Sequence, residues 1–142
     1  MNMGGQTERQ IEFILENAKN VLVVGLSKDP AKTSREVANY LSDNGYKITG
    51  INPTNIETTS TMPTYAALDD LPKNYTPDIV CVFKPSEECG KITREILAKC
   101  RPKLAVWLQL GITNAQAETL SRRAGLFFVQ DRCMKTERQK LK

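Results

Sequence analysis

Three apolar runs punctuate the chain without polar alternation: Val21 to Val24, Ile79 to Phe83 and Leu104 to Leu108. Strands of that kind are buried on both faces, the condition of a parallel sheet covered by helices on either side. The segments between them carry apolar residues at helical spacing instead. After a loose start over Met1 to Gly5, Thr7 to Lys19 places Ile11, Ile14, Leu15 and Ala18 on one face and predicts an amphipathic lead-in helix. Arg35 to Asn44 does the same with Val37, Ala38 and Leu41 and stops at Gly45, a usual residue beyond a helix end. Tyr46 to Ile51 predicts a second strand closed by Asn52-Pro53, and the polar, threonine-rich Asn55 to Thr61 an exposed connection. Met62 to Tyr65 reads as a short third strand and Ala66 to Leu71 as a turn of helix, with breaks at Pro72 and Pro77. Ser86 is placed to cap a helix ending near Cys100, and Thr113 or Asn114 to cap one that carries Ala117, Leu120 and Ala124 and ends at Gly125. Leu126 to Val129 predicts the last strand and Lys135 to Leu141 a final helical turn, in a basic tail (Arg132, Lys135, Arg138, Lys140, Lys142) that reads as solvated. Strand and helix alternate throughout, which predicts a single α/β domain with a doubly wound, mostly parallel, Rossmann-like sheet.

In such sheets ligands lie beyond the carboxyl ends of the strands, and here that position falls on Gly25 to Arg35. Gly25 lacks the Cβ that would hold a ligand off the backbone, and Thr33 or Ser34 can cap the helix that follows. The free N–H groups of that helix start, with Lys28, Lys32 and Arg35 beside them, favour an anion by ~0.3–1 kcal/mol per interaction. A phosphate-binding loop is the expectation. It does not fit the NAD fingerprint, which needs glycines where Ser27 and Pro30 stand and a carboxylate where the second strand ends in Asn52-Pro53. NADP, AMP-like ligands and coenzyme A remain open at this point.

Composition narrows the classes further. At 142 residues, 40% hydrophobic and 25% charged, the chain suits one ordinary globular domain. A net charge of +4 with 6% aromatic residues lacks the dense basic stripe of a nucleic-acid binder. No apolar run approaches the ~18 residues of a membrane span, and no signal peptide stands out, so a cytoplasmic protein with reduced thiols is expected. Cys81, Cys89, Cys100 and Cys133 form no C-x-x-C pair, and with no histidine in the chain the usual zinc patterns and every Ser-His or Cys-His catalytic pair are absent. Cys81, inside an apolar strand, reads as a small hydrophobe, and Phe83 and Trp107 as packing residues.

Five blocks in order then carry a resemblance: V-V-G-L-S-K-D-P-x-K-x-S-x-x-V-A-x-Y-L, the strand end G-I-N-P, V-F-K-P-S-E, W-L-Q-L-G-I, and A-G-L-x-x-V-Q-D-R-C-M-K-T-E. Over roughly residues 10 to 141 the chain resembles the small CoA-binding domain proteins, which are similar to the nucleotide-binding domain of the succinyl-CoA synthetase alpha subunit. The resemblance implies that residues 1–142 form a CoA-binding domain whose ligand is coenzyme A or an acyl derivative. It implies that Gly25, Leu26, Ser27, Lys28, Lys32 and Ser34 embrace the phosphates and that Asn52 and Pro53 border the adenosine. Val82, Phe83 and Lys84 would close over adenine and ribose, and the pantetheine arm would run toward Gln109 and Cys133. Thr54 and Arg138 depart from the lysine and histidine common in the family, and Lys84 or Arg35 could replace the lysine at the outer phosphate. Cys133, beside Arg132 and Lys135, is a candidate for a lowered thiol pKa and for disulfide exchange with the coenzyme's thiol. The synthetase uses a phosphorylated histidine in a further domain, and this chain has neither. A stand-alone binding module, not an enzyme, is therefore expected, with room for a homodimer or a protein partner; the alternative is an NADP- or other nucleotide-binding oxidoreductase.

Overall fold

Each unbroken apolar run is a strand in the computed structural model, which describes residues 3–141 and side chains from residue 7 onward. The strands are β1 (Asn20–Val24), β2 (Lys47–Ile51), β3 (Thr64–Tyr65), β4 (Ile79–Val82), β5 (Ala105–Leu108) and β6 (Phe127–Val129). They form one six-stranded sheet in the order β3-β2-β1-β4-β5-β6, and every pairing is parallel. This is the doubly wound order, with β1 and β4 as the central pair where the chain reverses direction across the sheet. Five helices cover it: α1 (Met3–Asn17), α2 (Thr33–Asp43), α3 (Cys89–Lys99), α4 (Ala115–Arg123) and α5 (Met134–Gln139).

The lack of alternation in β1 has a direct packing cause. Val21 and Val23 point to one face, into a core with Ile14 and Leu15 of α1, Val37 and Leu41 of α2 and Met134 of α5. Leu22 and Val24 point to the other, among Val80, Val106, Ile96 of α3 and Ala117 of α4. Successive strand side chains alternate faces, so a strand between two apolar layers needs an apolar residue at every position.

Several local expectations change. The loose start is corrected over Met3 to Gly5, which already belong to α1, while Met1 and Asn2 lie outside the described residues. The turn expected over Ala66 to Leu71 is a single 3-10 turn at Leu68–Asp70. Ser86 caps no helix: it opens a 3-10 turn (Ser86–Glu88), and its hydroxyl accepts from the Thr113 N–H at 3.1 Å. Asn114 does cap α4, its Oδ1 accepting from the Ala117 N–H at 2.8 Å. The basic tail is not a freely solvated run, because Arg132, Lys135 and Lys140 pair with Glu8 or Glu137, Glu36 and Glu137 in turn; Lys142 lies outside the described residues. No described helix is long and apolar enough to cross a membrane.

Candidate functional site

The chain leaves β1 at Gly25, at the reversal point of the sheet, and the exit of β4 passes directly beside it. Gly25 has φ +94°, and a Cβ there would lie 2.7 Å from the Phe83 carbonyl oxygen and 3.4 Å from the Lys84 side chain. The glycine is thus required by the protein's own packing, whatever ligand approaches. The next residues are held from both sides. The N–H groups of Gly25 and Leu26 donate to the Ile51 carbonyl at 2.8 and 3.3 Å. Leu26 is fully buried and lies over Gly50, where a Cβ would strike its side chain. The side-chain amides of Asn52 and Asn55 donate to the Leu26 carbonyl at 2.9 and 3.3 Å. Thr54 donates through both its N–H and its hydroxyl to Asn52 Oδ1, fixing that side chain.

Beyond this anchor the loop closes on itself. The Ser27 N–H donates to the Ser34 hydroxyl at 2.9 Å, the Asp29 N–H to the Ser27 hydroxyl at 3.0 Å, and the Ala31 N–H to Asp29 Oδ1 at 2.9 Å. Here the expected cap is corrected. The residue in the capping position of α2 is Lys32, whose side chain cannot accept a hydrogen bond, and the buried Ser34 hydroxyl is turned toward Ser27. The start of α2 is therefore open, with the N–H groups of Thr33 and Ser34, and that of Lys28 in the loop, unpartnered among the described residues. Open donors at a helix start favour an anion. Lys28 and Lys32 are exposed and Arg35 and Lys84 half-buried, and none of them is in an ion pair among the described residues. Asp29 is the opposing charge within the loop.

The other residues singled out in the sequence divide by access. Phe83 and Lys84 are half-buried on the β4 side of the crevice and Pro53 is exposed beyond β2. Val82 is fully buried in the core, so its side chain faces no ligand. Leu26 is in the same position, and the Asn52 side chain is engaged within the protein; these residues shape the loop. Gln109, directly after β5, is buried, its Oε1 accepting from the Met134 N–H at 3.2 Å. Cys133, after β6 and before α5, is half-buried against the core and opens on a groove of about 540 Å³. Burial works to raise its thiol pKa, but the N–H and hydroxyl of Thr136, the Gln109 carboxamide and the Lys135 N–H outweigh it and hold the thiol below its ordinary value. The cause differs from the one expected, since Arg132 and Lys135 are occupied by carboxylates and neutral donors favour the thiolate.

Concave surfaces lie at both edges of the sheet, with the groove at Cys133 on the same carboxyl edge as the loop. A cleft of about 370 Å³ between Leu15, Tyr46 and Arg138 lies at the amino edge of the sheet, opposite the loop. Arg138 stands there over the Tyr46 ring, so its departure from the family pattern falls outside the crevice. The open donors and free cations are at the carboxyl edge, and they define the candidate site.

A family model described as a CoA binding domain matches residues 19–139, from the residue before β1 to the end of α5. The chain belongs to the CoA binding domain family. Among its relatives, an uncharacterized Bacillus subtilis protein, YneT, is 32% identical over 133 residues, covering 94% of this chain and 95% of that protein. Among solved structures, cell-free ID.343 from Thermus thermophilus is 32% identical with a TM-score of 0.82, covering 95% of this chain and 98% of that one. A hypothetical protein from Pyrococcus horikoshii OT3 is 27% identical with a TM-score of 0.84, covering 99% and 96%. As a CoA binding domain, the chain has its sheet reversal, its glycine turn and its open helix start in one place.

Sequence reasoning missed two parts of this site. Asn55 sits in a segment read only as an exposed connection, and nothing local marks it as a second anchor of the Leu26 carbonyl. The resemblance named Gln109 and Cys133 together at the pantetheine end, but the bond from the Met134 N–H to the Gln109 carboxamide was equally hidden, since it forms only when the adjacent strands β5 and β6 set their exits side by side.

Proposed function

We propose that the chain binds coenzyme A or an acyl-CoA at the crevice between β1 and β4, with the coenzyme phosphates on the open start of α2. The observation that carries this reading is the uncapped helix start itself: unpartnered N–H groups at Lys28, Thr33 and Ser34, ringed by Lys28, Lys32, Arg35 and Lys84 with no carboxylate partners, in a chain of the CoA binding domain family. Backbone donors fixed by the loop's own hydrogen bonds lose little freedom on meeting a phosphate, and the lysines add charge that follows it. Phe83 and Pro53 supply apolar surface at the two sides for the adenosine. The end of β2 offers Asn52, already bonded to Leu26 and Thr54, and no free carboxylate for a ribose hydroxyl pair, which favours coenzyme A over NAD.

The module acts by binding and presenting the coenzyme, without catalysis of its own. The crevice brings together lysines, an arginine, serines and backbone donors, a set that holds phosphate, and its one loop carboxylate, Asp29, is engaged by the Ala31 N–H. Calorimetric titration with CoA is expected to give saturable heat, and NAD none. Replacing both Lys28 and Lys32 by Ala should weaken CoA binding about tenfold or more, and the loss should shrink as salt is raised. An unchanged affinity in that double variant would move the phosphates away from the loop.

A further inference from the structure

Gln109 and Cys133 meet at the carboxyl edge in an arrangement that leaves one donor idle. Gln109 is 3% exposed. Its Oε1 accepts from the Met134 N–H at 3.2 Å and lies 3.7 Å from the Cys81 thiol, which fixes which way the carboxamide faces. The Nε2 group is buried and makes no hydrogen bond among the described residues. A buried amide donor without an acceptor is costly, so an acceptor that reaches it is favoured. The Oε1 bond to the N–H of Met134, the residue after Cys133, sets the carboxamide beside Cys133, and the Gln109 side chain is among the groups that hold that thiol below its ordinary value. Cys81, on the other side of the carboxamide, is fully buried and its thiol is pushed far up, so Cys133 alone of the two can react as a thiolate.

We propose that Cys133, set against the Gln109 carboxamide, captures the thiol end of the bound coenzyme as a mixed disulfide. The proposal rests on the coenzyme A reading of the crevice. The co-reactant is a disulfide of the coenzyme. The Cys133 thiolate attacks one of its sulfurs, the S–S bond breaks, one coenzyme leaves as a thiolate and takes up a proton, and the other stays joined to Cys133. One disulfide is consumed and one is formed, with no further oxidant. Gln109 is a positioning residue in this step, its Nε2 donating to the sulfur anion.

The distances permit the span. Neighbouring strands lie ~4.8 Å apart, so the exits of β1 and β6 are separated by about 14 Å across the sheet edge, a distance suited to an extended pantetheine arm. The Lys135–Glu36 ion pair, 3.1 Å long, draws the beginning of α5 toward the first turn of α2 and with it Cys133 toward the loop. The groove at Cys133, bordered by Leu110, Gln130 and Thr136, gives the sulfur its opening to solvent.

The test is to incubate the reduced protein with CoA disulfide and, separately, with cystamine, and to follow intact mass and peptide maps, with calorimetry of reduced CoA on the same sample. The expected result is one coenzyme on Cys133, formed about tenfold or more faster than the cystamine adduct because binding raises the local disulfide concentration. Cys133→Ser should abolish the adduct and Cys100→Ser should keep it. Gln109→Met should shift the pH profile of Cys133 alkylation upward, which lost packing alone would not do. Calorimetric binding of CoA with no adduct on Cys133 would overturn the capture and leave the binding reading standing. Equal rates with both disulfides would overturn it too, since Cys133 would then be reactive without being served by the crevice. Absence of both heat and adduct would remove the binding reading together with the proposal.

Discussion

At the scale of single residues, Gly25 shows how a sequence signal can be right in place and incomplete in cause. A glycine after an apolar strand suggests room for a ligand, yet the atom that a side chain would meet first is the Phe83 carbonyl oxygen, 2.7 Å from the position of a Cβ. The positive φ adds a second demand that only glycine meets without strain. Gly25→Ala should therefore destabilise the fold by about 1–2 kcal/mol from the backbone conformation alone, with the contact adding to it. Urea unfolding without ligand checks this. A loss of coenzyme affinity with stability unchanged would instead mean that the glycine serves the ligand directly. Ser34 carries the same lesson: its hydroxyl, read as a cap, ties Ser27 into the loop and so leaves the helix start open.

At the scale of elements, what could be read from the chain was whatever depends on near neighbours or on burial of both faces. β1, β4 and β5 were legible because a strand between two helical layers admits only apolar side chains, and the period of α1 and α2 followed from each having one buried side. The cap of α4 was legible because Asn114 bonds three residues ahead. The 3-10 turn before α3 was not, because the Ser86 hydroxyl is taken by Thr113 from a strand and a helix later in the chain. Of the site, the loop itself stood out, while its anchoring by Asn55 and the approach of Gln109 to Cys133 depend on contacts made only when the sheet assembles. Asn114 offers the element-scale test. It caps α4 through Oδ1 and donates from Nδ2 to the Ser86 carbonyl at 2.9 Å, joining the starts of α3 and α4. Asn114→Ala should cost about 1 kcal/mol for the cap, with the lost link to Ser86 adding to it. A fall in the urea midpoint at unchanged slope would show it, and a midpoint within error of the parent would mean that neither bond matters to the fold.

At the scale of the whole molecule, the sheet divides its cysteines by environment, and that division sets how stability responds to pH. Burial pushes the Cys81 thiol far up, raises that of Cys100, and with Glu88 and Glu87 nearby pushes Cys89 up to about 11. Burial also raises Tyr46 and Tyr75. In the unfolded chain the thiols ionise near their ordinary value of ~8.5, while the native state keeps their protons well beyond it. Above that value the native state binds more protons than the unfolded one, so stability falls as pH rises. Cys133 acts in the opposite sense, because its lowered native value adds stability as pH rises toward the ordinary thiol range, and one group set against three thiols and two phenols does not reverse the trend. The melting temperature should accordingly hold nearly level up to about pH 8 and then decline steadily between about pH 9 and 11. Cys89→Ala should flatten part of that decline, since it removes a thiol held neutral within 3.5 Å of the Pro85 carbonyl oxygen. A melting temperature that stays level to pH 11 in the parent protein would mean that these thiols do not keep their protons in the fold, and a decline unaltered in Cys89→Ala would assign it to the tyrosines and the remaining cysteines.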